Sequence, residues 1–364
     1  MERLGLVGLP NSGKSSLFNA LTGGSVAVAA HPFSTTETTT GIAKVADHRL
    51  DALAELHHSR KVVHAGVEMT DIAGLAAGAA EGEGLGNRFL ATIREVDALC
   101  LVLRAFDDEE VPGQSDPLES LGELELELTL ADLASVEGLL QRRRKAARSG
   151  DATAAKEVEA LDAALAPLGD GVPIYRSGLS EEQRVALKSA FLLTNKPVLA
   201  VVNLSEEQAG EGAAGSEGKL VAEVGEVLGG SAEALGLCVQ LEAEAAQLDP
   251  GERSELLQGL GLGEGALARL ARAAFDVLGR RTFFTTGDKE SRAWTYRSGA
   301  RAPECAGVIH SDLQRGFIRA EVIPWDELLS AGSWSAAKAS GRLRIEGKDY
   351  QVADGDVLEI RFNV

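Results

Sequence analysis

Residues Gly8-Leu9-Pro10-Asn11-Ser12-Gly13-Lys14-Ser15 fit the pattern G-x-x-x-x-G-K-[ST], and no other stretch limits more what this chain can fold into. An apolar run, Leu4–Val7, precedes them, and a helical pattern, Ser16-Leu17-Phe18-Asn19-Ala20-Leu21, follows. A strand, a glycine-rich turn and a helix in that order aim backbone N–H groups and the positive end of a helix dipole at one point, where an anionic phosphate fits. Lys14 then reaches the β- and γ-phosphates, and the Ser15 hydroxyl binds Mg²⁺.

With 364 residues the chain is long enough for two or three domains, and a hydrophobic content of 45% suits a soluble globular protein. No apolar stretch approaches a membrane span, and Met1-Glu2-Arg3 runs directly into the first strand without room for a signal peptide. Cys100, Cys238 and Cys305 are odd in number and widely spaced, which fits a reducing, cytoplasmic compartment and three core residues rather than zinc ligands or disulfides. The net charge of −19 speaks against broad non-specific binding to nucleic acid, so neither DNA nor a membrane is expected as a partner.

The first 115 residues alternate strands (Leu4–Val7, Gly66–Thr70, Ala98–Leu103) with helices, one of them near Arg88–Val96. That alternation predicts an α/β P-loop G-domain fold, a mostly parallel sheet with helices on both faces, formed by residues 1–115 and 195–278. Between them, at 116–194, Leu126, Leu130, Leu133, Val136 and Leu140 recur at helical spacing; Arg142-Arg143-Arg144-Lys145 ends the pattern and Ser149-Gly150-Asp151 turns the chain. A second series, Ala155, Val158, Leu161 and Leu165, completes an antiparallel helical hairpin inserted in the domain. Its basic tip either complements the first helix's dipole or offers a surface to RNA or an acidic partner. A buried strand is expected at Pro197–Val202, a surface loop at Gly210–Gly218, a helix at 219–229, a last strand at Leu237–Leu241 and a helix at 252–278. From 281 to 364, short β-like runs separated by turns such as Asp354-Gly355-Asp356 predict a small α+β domain.

Three further elements narrow the chemistry. Asp71-Ile72-Ala73-Gly74 follows a strand and fits D-x-x-G, in which Asp71 holds Mg²⁺ through water and the Gly74 N–H senses the γ-phosphate. Pro32-Phe33-Ser34-Thr35-Thr36-Glu37 lies between the two motifs; Thr35, with Thr36 in reserve, is the candidate to complete the Mg²⁺ shell. GTPases place N-K-x-D at the end of a strand to read guanine. Here the strand ends Asn203-Leu204-Ser205-Glu206, without the Lys and with Glu206 in place of Asp, which shifts the expected base to adenine.

In this order the motifs, with Gly82-Glu83-Gly84-Leu85-Gly86-Asn87, Arg292-Ala293-Trp294-Thr295, Gly316-Phe317-Ile318-Arg319-Ala320, Glu346-Gly347-Lys348-Asp349-Tyr350 and Phe362-Asn363-Val364, resemble the Obg-like ATPase family of YchF type over essentially the whole chain. The resemblance implies a C-terminal TGS domain of β-grasp type at 281–364, hydrolysis of ATP in preference to GTP, ATP and ADP as ligands, and the ribosome as partner. It also implies that Asn11, Ser12, Gly13, Lys14, Ser15 and Ser16 wrap the phosphates, that Ser15 and Thr35 hold Mg²⁺, and that Leu204 contacts adenine through its backbone. Ser16, Ser34 and Thr38 depart from the residues common there (Thr, Cys and Pro), and none removes a needed group.

Leu75 stands where many GTPases place the water-orienting Gln, so slow intrinsic turnover is expected, carried by Lys14, Mg²⁺ and the loop amides. Asn11 is a candidate K⁺ ligand and, with Lys14, a candidate catalytic residue. Glu81 and Glu83 read first as solvated loop carboxylates. His57-His58 reads as helix surface without a metal, His31 as a neighbour of the first switch, and His310 as structural. Two other functions stay open: a ribosome-binding module for which nucleotide is a structural ligand, and a GTPase.

Overall fold

The computed structural model describes residues 2–24, 38–72, 85–108, 111–210, 216–230, 232–260, 262 and 265–363. The chain divides into two compact units, Met1–Ala43 with Glu68–Ala274, and Lys44–Val67 with Phe275–Val364. Its strands are β1 (Arg3–Val7), β2 (Thr39–Val45), β3 (Val62–Val63), β4 (Ala65–Asp71), β5 (Ala98–Arg104), β6 (Val198–Asn203), β7 (Glu233–Leu237), β8 (Arg280–Thr285), β9 (Ser291–Arg297), β10 (Phe317–Pro324), β11 (Arg344–Glu346) and β12 (Asp356–Phe362). The helices needed below are α1 (Lys14–Thr22), α2 (His48–Leu56), α3 (Leu85–Glu95), α4 (Pro117–Arg148) and α5 (Ala152–Gly169).

The first unit is an α/β P-loop domain whose sheet runs β2-β4-β1-β5-β6-β7, with β4, β1, β5, β6 and β7 parallel. All seven residues of β5 and all six of β6 are buried, as central strands covered on both faces must be. The P-loop therefore leaves the sheet at the C-terminal end of β1, with Asp71 ending the neighbouring β4 and Asn203 ending β6, one strand beyond β5.

The helical insertion is present and longer than its pattern predicts: α4 continues through Arg142-Arg143-Arg144-Lys145 to Arg148, and α5 starts after the Asp151 N-cap. Leu140, Leu161, Ala164 and Leu168 form part of the apolar seam. The basic tip staples the hairpin: Arg143 Nε lies 2.9 Å from Glu157 and Arg144 Nη2 2.6 Å from Asp162, while Arg142 Nε donates to the Gly138 carbonyl. At its base the wholly buried Asp132 accepts from Leu193 N, Thr194 N and Thr194 Oγ1 at 2.7–2.8 Å, which satisfies it without a cation.

Three sequence expectations are corrected. The last strand is Glu233–Leu237, and residues from Val239 to Ala245 are helical; Asn203 pairs with Leu237, and the chain turns at once. The single helix expected over 252–278 is two, Pro250–Gly259 and Ala266–Val277, separated by a turn at Gly265 with φ +86°. The surface loop expected through Gly218 gives way to helix at Ser216.

The second unit contains a mixed sheet ordered β11-β10-β12-β8-β9-β3. β8 and β9 form an antiparallel hairpin, a helix (Ala302–Ile309) follows, and the last strand, β12, inserts between β10 and β8, parallel to β8 and antiparallel to β10. That is β-grasp topology. Residues 44–67, placed with the nucleotide-binding domain by the sequence pattern, are built into this unit. β3 pairs in parallel with β9, Ser291 N donates to Lys61 O at 2.9 Å and Arg60 N to Asp288 O at 3.1 Å. On α2, Arg49 joins Asp47 and Asp354 and lies 5.2 Å over the Phe284 ring. His57, expected at the surface, is half-buried with Nδ1 3.1 Å from both Leu53 O and Thr286 Oγ1. Arg49→Ala removes two charge-assisted contacts and a ring contact, so the second unit should lose about 2 kcal/mol. A thermal melt followed by Trp294 and Trp325 fluorescence checks it, and an unchanged transition would mean that α2 adds nothing to this unit.

Candidate phosphate-binding site

The loop after β1 has the conformation that its sequence demands. Gly13 caps α1 in the left-handed region, φ +96°, and a Cβ there would sit 2.4 Å from Asn203 Nδ2. At Gly8 a Cβ would meet the Val102 carbonyl at 2.5 Å and Ser12 Oγ at 2.6 Å. Glycine is required at both positions, once for backbone freedom and once for close approach. Asn11 also has a left-handed φ of 61°, and its Nδ2 donates to the Pro112 carbonyl at 2.8 Å.

Lys14 is buried, 7% exposed, with Nζ donating to Leu9 O at 2.8 Å and 3.5 Å from Ser12 Oγ. Burial pushes its amine down to about 8, against the pull of the Asp71 carboxylate. Such a cation gains from a phosphate that replaces lost water. Ser15 Oγ donates to Asp71 Oδ2 at 2.7 Å, so the first turn of α1 and the end of β4 meet. Burial raises the Asp71 carboxyl above its ordinary range, although the Ser15 hydrogen bond and Lys14 draw it down. Asp71 Oδ1 is buried with no hydrogen-bond partner among the described residues. A hydroxyl, a carboxylate and an orphaned buried oxygen together suit a hard divalent cation that completes its shell with phosphate and water.

Asn203 links the two sides of the site. Its Nδ2 donates to Ser12 O at 3.0 Å, and its Oδ1 accepts from Val239 N at 3.1 Å. Leu204 N donates to Leu237 O at 2.9 Å and Ser205 N to Gln208 Oε1 at 2.8 Å, which leaves the Leu204 carbonyl, not its N–H, to meet a base. Glu206 is exposed in the first turn of a short helix, Glu206–Gly210. The structure thus brings together Asn11, Ser12, Gly13, Lys14, Ser15, Asp71 and Asn203, with Ser16 following on α1 and Leu204 and Glu206 at the end of β6. Thr35, Thr36, Gly74, Leu75, Glu81, Glu83 and His31 lie outside the described residues. Sequence reasoning missed Arg104, whose guanidinium donates to the Phe106 and Val111 carbonyls. A charged residue closing the apolar run Ala98-Leu99-Cys100-Leu101-Val102-Leu103 was the available signal.

A family model described as "50S ribosome-binding GTPase" matches residues 3–130, and the C-terminal YchF-GTPase model, described as a protein of unknown function, matches 281–363. A Bacillus subtilis protein named "Ribosome-binding ATPase YchF" is 44% identical over 364 residues, covering 99% of each chain. The chain belongs to the YchF family. A Haemophilus influenzae YchF of the same name is 44% identical over 373 residues, covering 100% of this chain and 99% of its own. The solved structure of the Schizosaccharomyces pombe YchF GTPase superposes with a TM-score of 0.85 at 30% identity, over 99% of this chain and 97% of that one. The likeness runs the full length of both chains, so the fold described above is shared with that YchF structure.

Proposed function

We propose that this chain is a slow, ATP-hydrolysing P-loop NTPase of the cytoplasm that binds the ribosome and switches with its nucleotide. The observation that carries the reading is the buried Lys14 ammonium beside the 2.7 Å contact of Ser15 with Asp71, a preformed site for a polyphosphate and its metal. Asn11 to Ser16 wrap the phosphates. Ser15, Thr35 and Asp71 would hold Mg²⁺, which would neutralise phosphate charge, and Gly74 would contact the γ-phosphate. Lys14 places a positive charge on the transferring phosphoryl group. Asn11, oriented by Pro112, is the proposed K⁺ ligand; K⁺ there should raise turnover, and equal rates in KCl and NaCl would discard the assignment.

Adenine is the preferred base in this reading. Asn203-Leu204-Ser205-Glu206 lacks the carboxylate that would take guanine's N1–H and 2-amino group, and the Leu204 carbonyl suits the 6-amino group of adenine. The names of the relatives differ on this point, ATPase in the bacterial proteins and GTPase in the fission-yeast structure. Calorimetric titration with ATP and GTP separates the two; tighter binding of GTP would reverse the assignment.

The domain reading is a nucleotide-binding domain at 1–115 and 195–278, with residues 44–67 given over to the C-terminal unit, the hairpin at 116–194 and a TGS domain at 281–364. For the ribosome, the C-terminal region is the better candidate surface. Residues 275–364 hold equal numbers of acidic and basic side chains, so the net −19 falls on the rest of the chain. Two of the three hairpin-tip arginines are engaged in ion pairs. Co-sedimentation with ribosomes in ATP and in ADP tests the switch. Equal binding in both would favour the simpler role of a ribosome-binding module with nucleotide as structural ligand.

A further inference from the structure

We propose that Arg104 is a positioning residue for the phosphate loop, acting on Asn11 through the segment from Val111 to Gly113. Arg104 closes β5 and is 3% exposed. A guanidinium so placed is tolerated only when its donors are used. Nε donates to Phe106 O at 2.8 Å, Nη1 donates to Val111 O at 2.9 Å, and the guanidinium carbon lies 4.4 Å from the Phe106 ring centroid. These contacts hold Phe106 and Val111 against the last residue of β5. The next carbonyl, that of Pro112, receives Asn11 Nδ2. Gly113, at φ +144°, comes so close that a Cβ would lie 3.3 Å from Arg104 Nη1 and 3.6 Å from Pro10 O.

Asn11 pays for its left-handed backbone unless its surroundings hold it there. The Pro112 carbonyl is such a restraint, and Arg104 fixes the segment that bears it. The same segment leads directly into the hairpin. Gln114 Oε1 accepts from Ser115 N and Asp116 N, and Asp116 caps α4 through Leu118 N and Glu119 N. A displacement of α4 by a docked partner would therefore reach Asn11 through a short stretch of chain with few free torsions. The coupling itself is independent of hydrolysis; only its consequence for turnover rests on the ATPase reading.

The test is a double-mutant cycle of Arg104→Gln and Asn11→Ala, read by amide hydrogen exchange of residues 8–15, which needs no nucleotide, and by turnover with KM and kcat separated. Each single variant should raise exchange in the loop about tenfold, and the double variant no further than either alone. Turnover should follow the same pattern, with kcat lowered about tenfold and KM changed less than about threefold. Arg104→Lys keeps the charge and can reach one of the two carbonyls, so it should restore part of both; it also stands in if Arg104→Gln unfolds. Multiplicative effects of the two substitutions, or exchange in residues 8–15 unchanged by Arg104→Lys and Arg104→Gln, would overturn the proposal. A wild-type protein without turnover would refute the ATPase reading alone, because the exchange cycle still decides the coupling.

Discussion

Replacing Lys14 by alanine is expected to lower nucleotide hydrolysis by at least about 10³-fold, at the upper end of what one preorganised charge supplies to a transition state. The buried ammonium is held against the loop's own Leu9 carbonyl, so its removal takes the positive charge out of the phosphate loop and leaves the developing charge uncompensated. The same residue sets a pH dependence. Burial brings the free amine down to about 8, and Asp71 alone does not restore it. A bound polyphosphate raises the amine's pKa, so nucleotide binding takes up a proton wherever the free amine is neutral. Affinity should hold constant below about pH 8 and weaken roughly tenfold per pH unit above it, until the pKa of the complex is passed. Calorimetry between about pH 7 and 9.5, in two buffers of different ionisation enthalpy, reads both affinity and proton uptake. An affinity flat across that range would show that Lys14 does not titrate on binding, and turnover retained in Lys14→Ala would remove it from the chemistry.

Asn203→Ala should cost the site about 2–4 kcal/mol, shared between folding and nucleotide affinity, because it leaves two buried groups without a partner, the Ser12 carbonyl and the Val239 N–H. Asn203→Asp keeps the shape and one acceptor but sets an oxygen against the Ser12 carbonyl, so it should weaken affinity at least as much. Urea unfolding separates the stability share from the binding share, which calorimetry then reads. Unchanged values for Asn203→Ala would mean that the phosphate loop and the turn before residues 239–245 hold their positions without this amide. The effect is large because Asn203 is 4% exposed, and water does not replace what is lost.

Much of this was written locally. A strand, a glycine-rich turn and a helix in succession fix the phosphate loop, because glycine at residue 13 is needed for backbone freedom and Lys14 falls on the first turn of α1. The hairpin pattern placed its two helices, and the short runs after 280 placed β8 to β12 to within a few residues, since helical and alternating periodicities are properties of adjacent side chains. β6 ends at Asn203, one residue past the apolar run from Val198 to Val202.

Other features depended on which distant segment each stretch met. Leu237-Cys238-Val239-Gln240-Leu241 and Glu233-Ala234-Leu235-Gly236-Leu237 are both apolar enough to form a strand; pairing with β6 selected the second. Arg142 to Arg144 read either as a complement to the helix dipole or as a contact surface; Glu157 and Asp162 on the facing helix claim two of them. Residues 44–67 lie between two nucleotide-binding motifs in the sequence, yet β9 and Asp354 draw them into the C-terminal unit. The sequence by itself determined the phosphate chemistry, because its groups come from neighbours in the chain. Only the tertiary structure decided what restrains those groups, since the partners of Asn11, Ser12 and Ser15 lie at Pro112, Asn203 and Asp71, and long-range hydrogen bonds leave no periodicity to read.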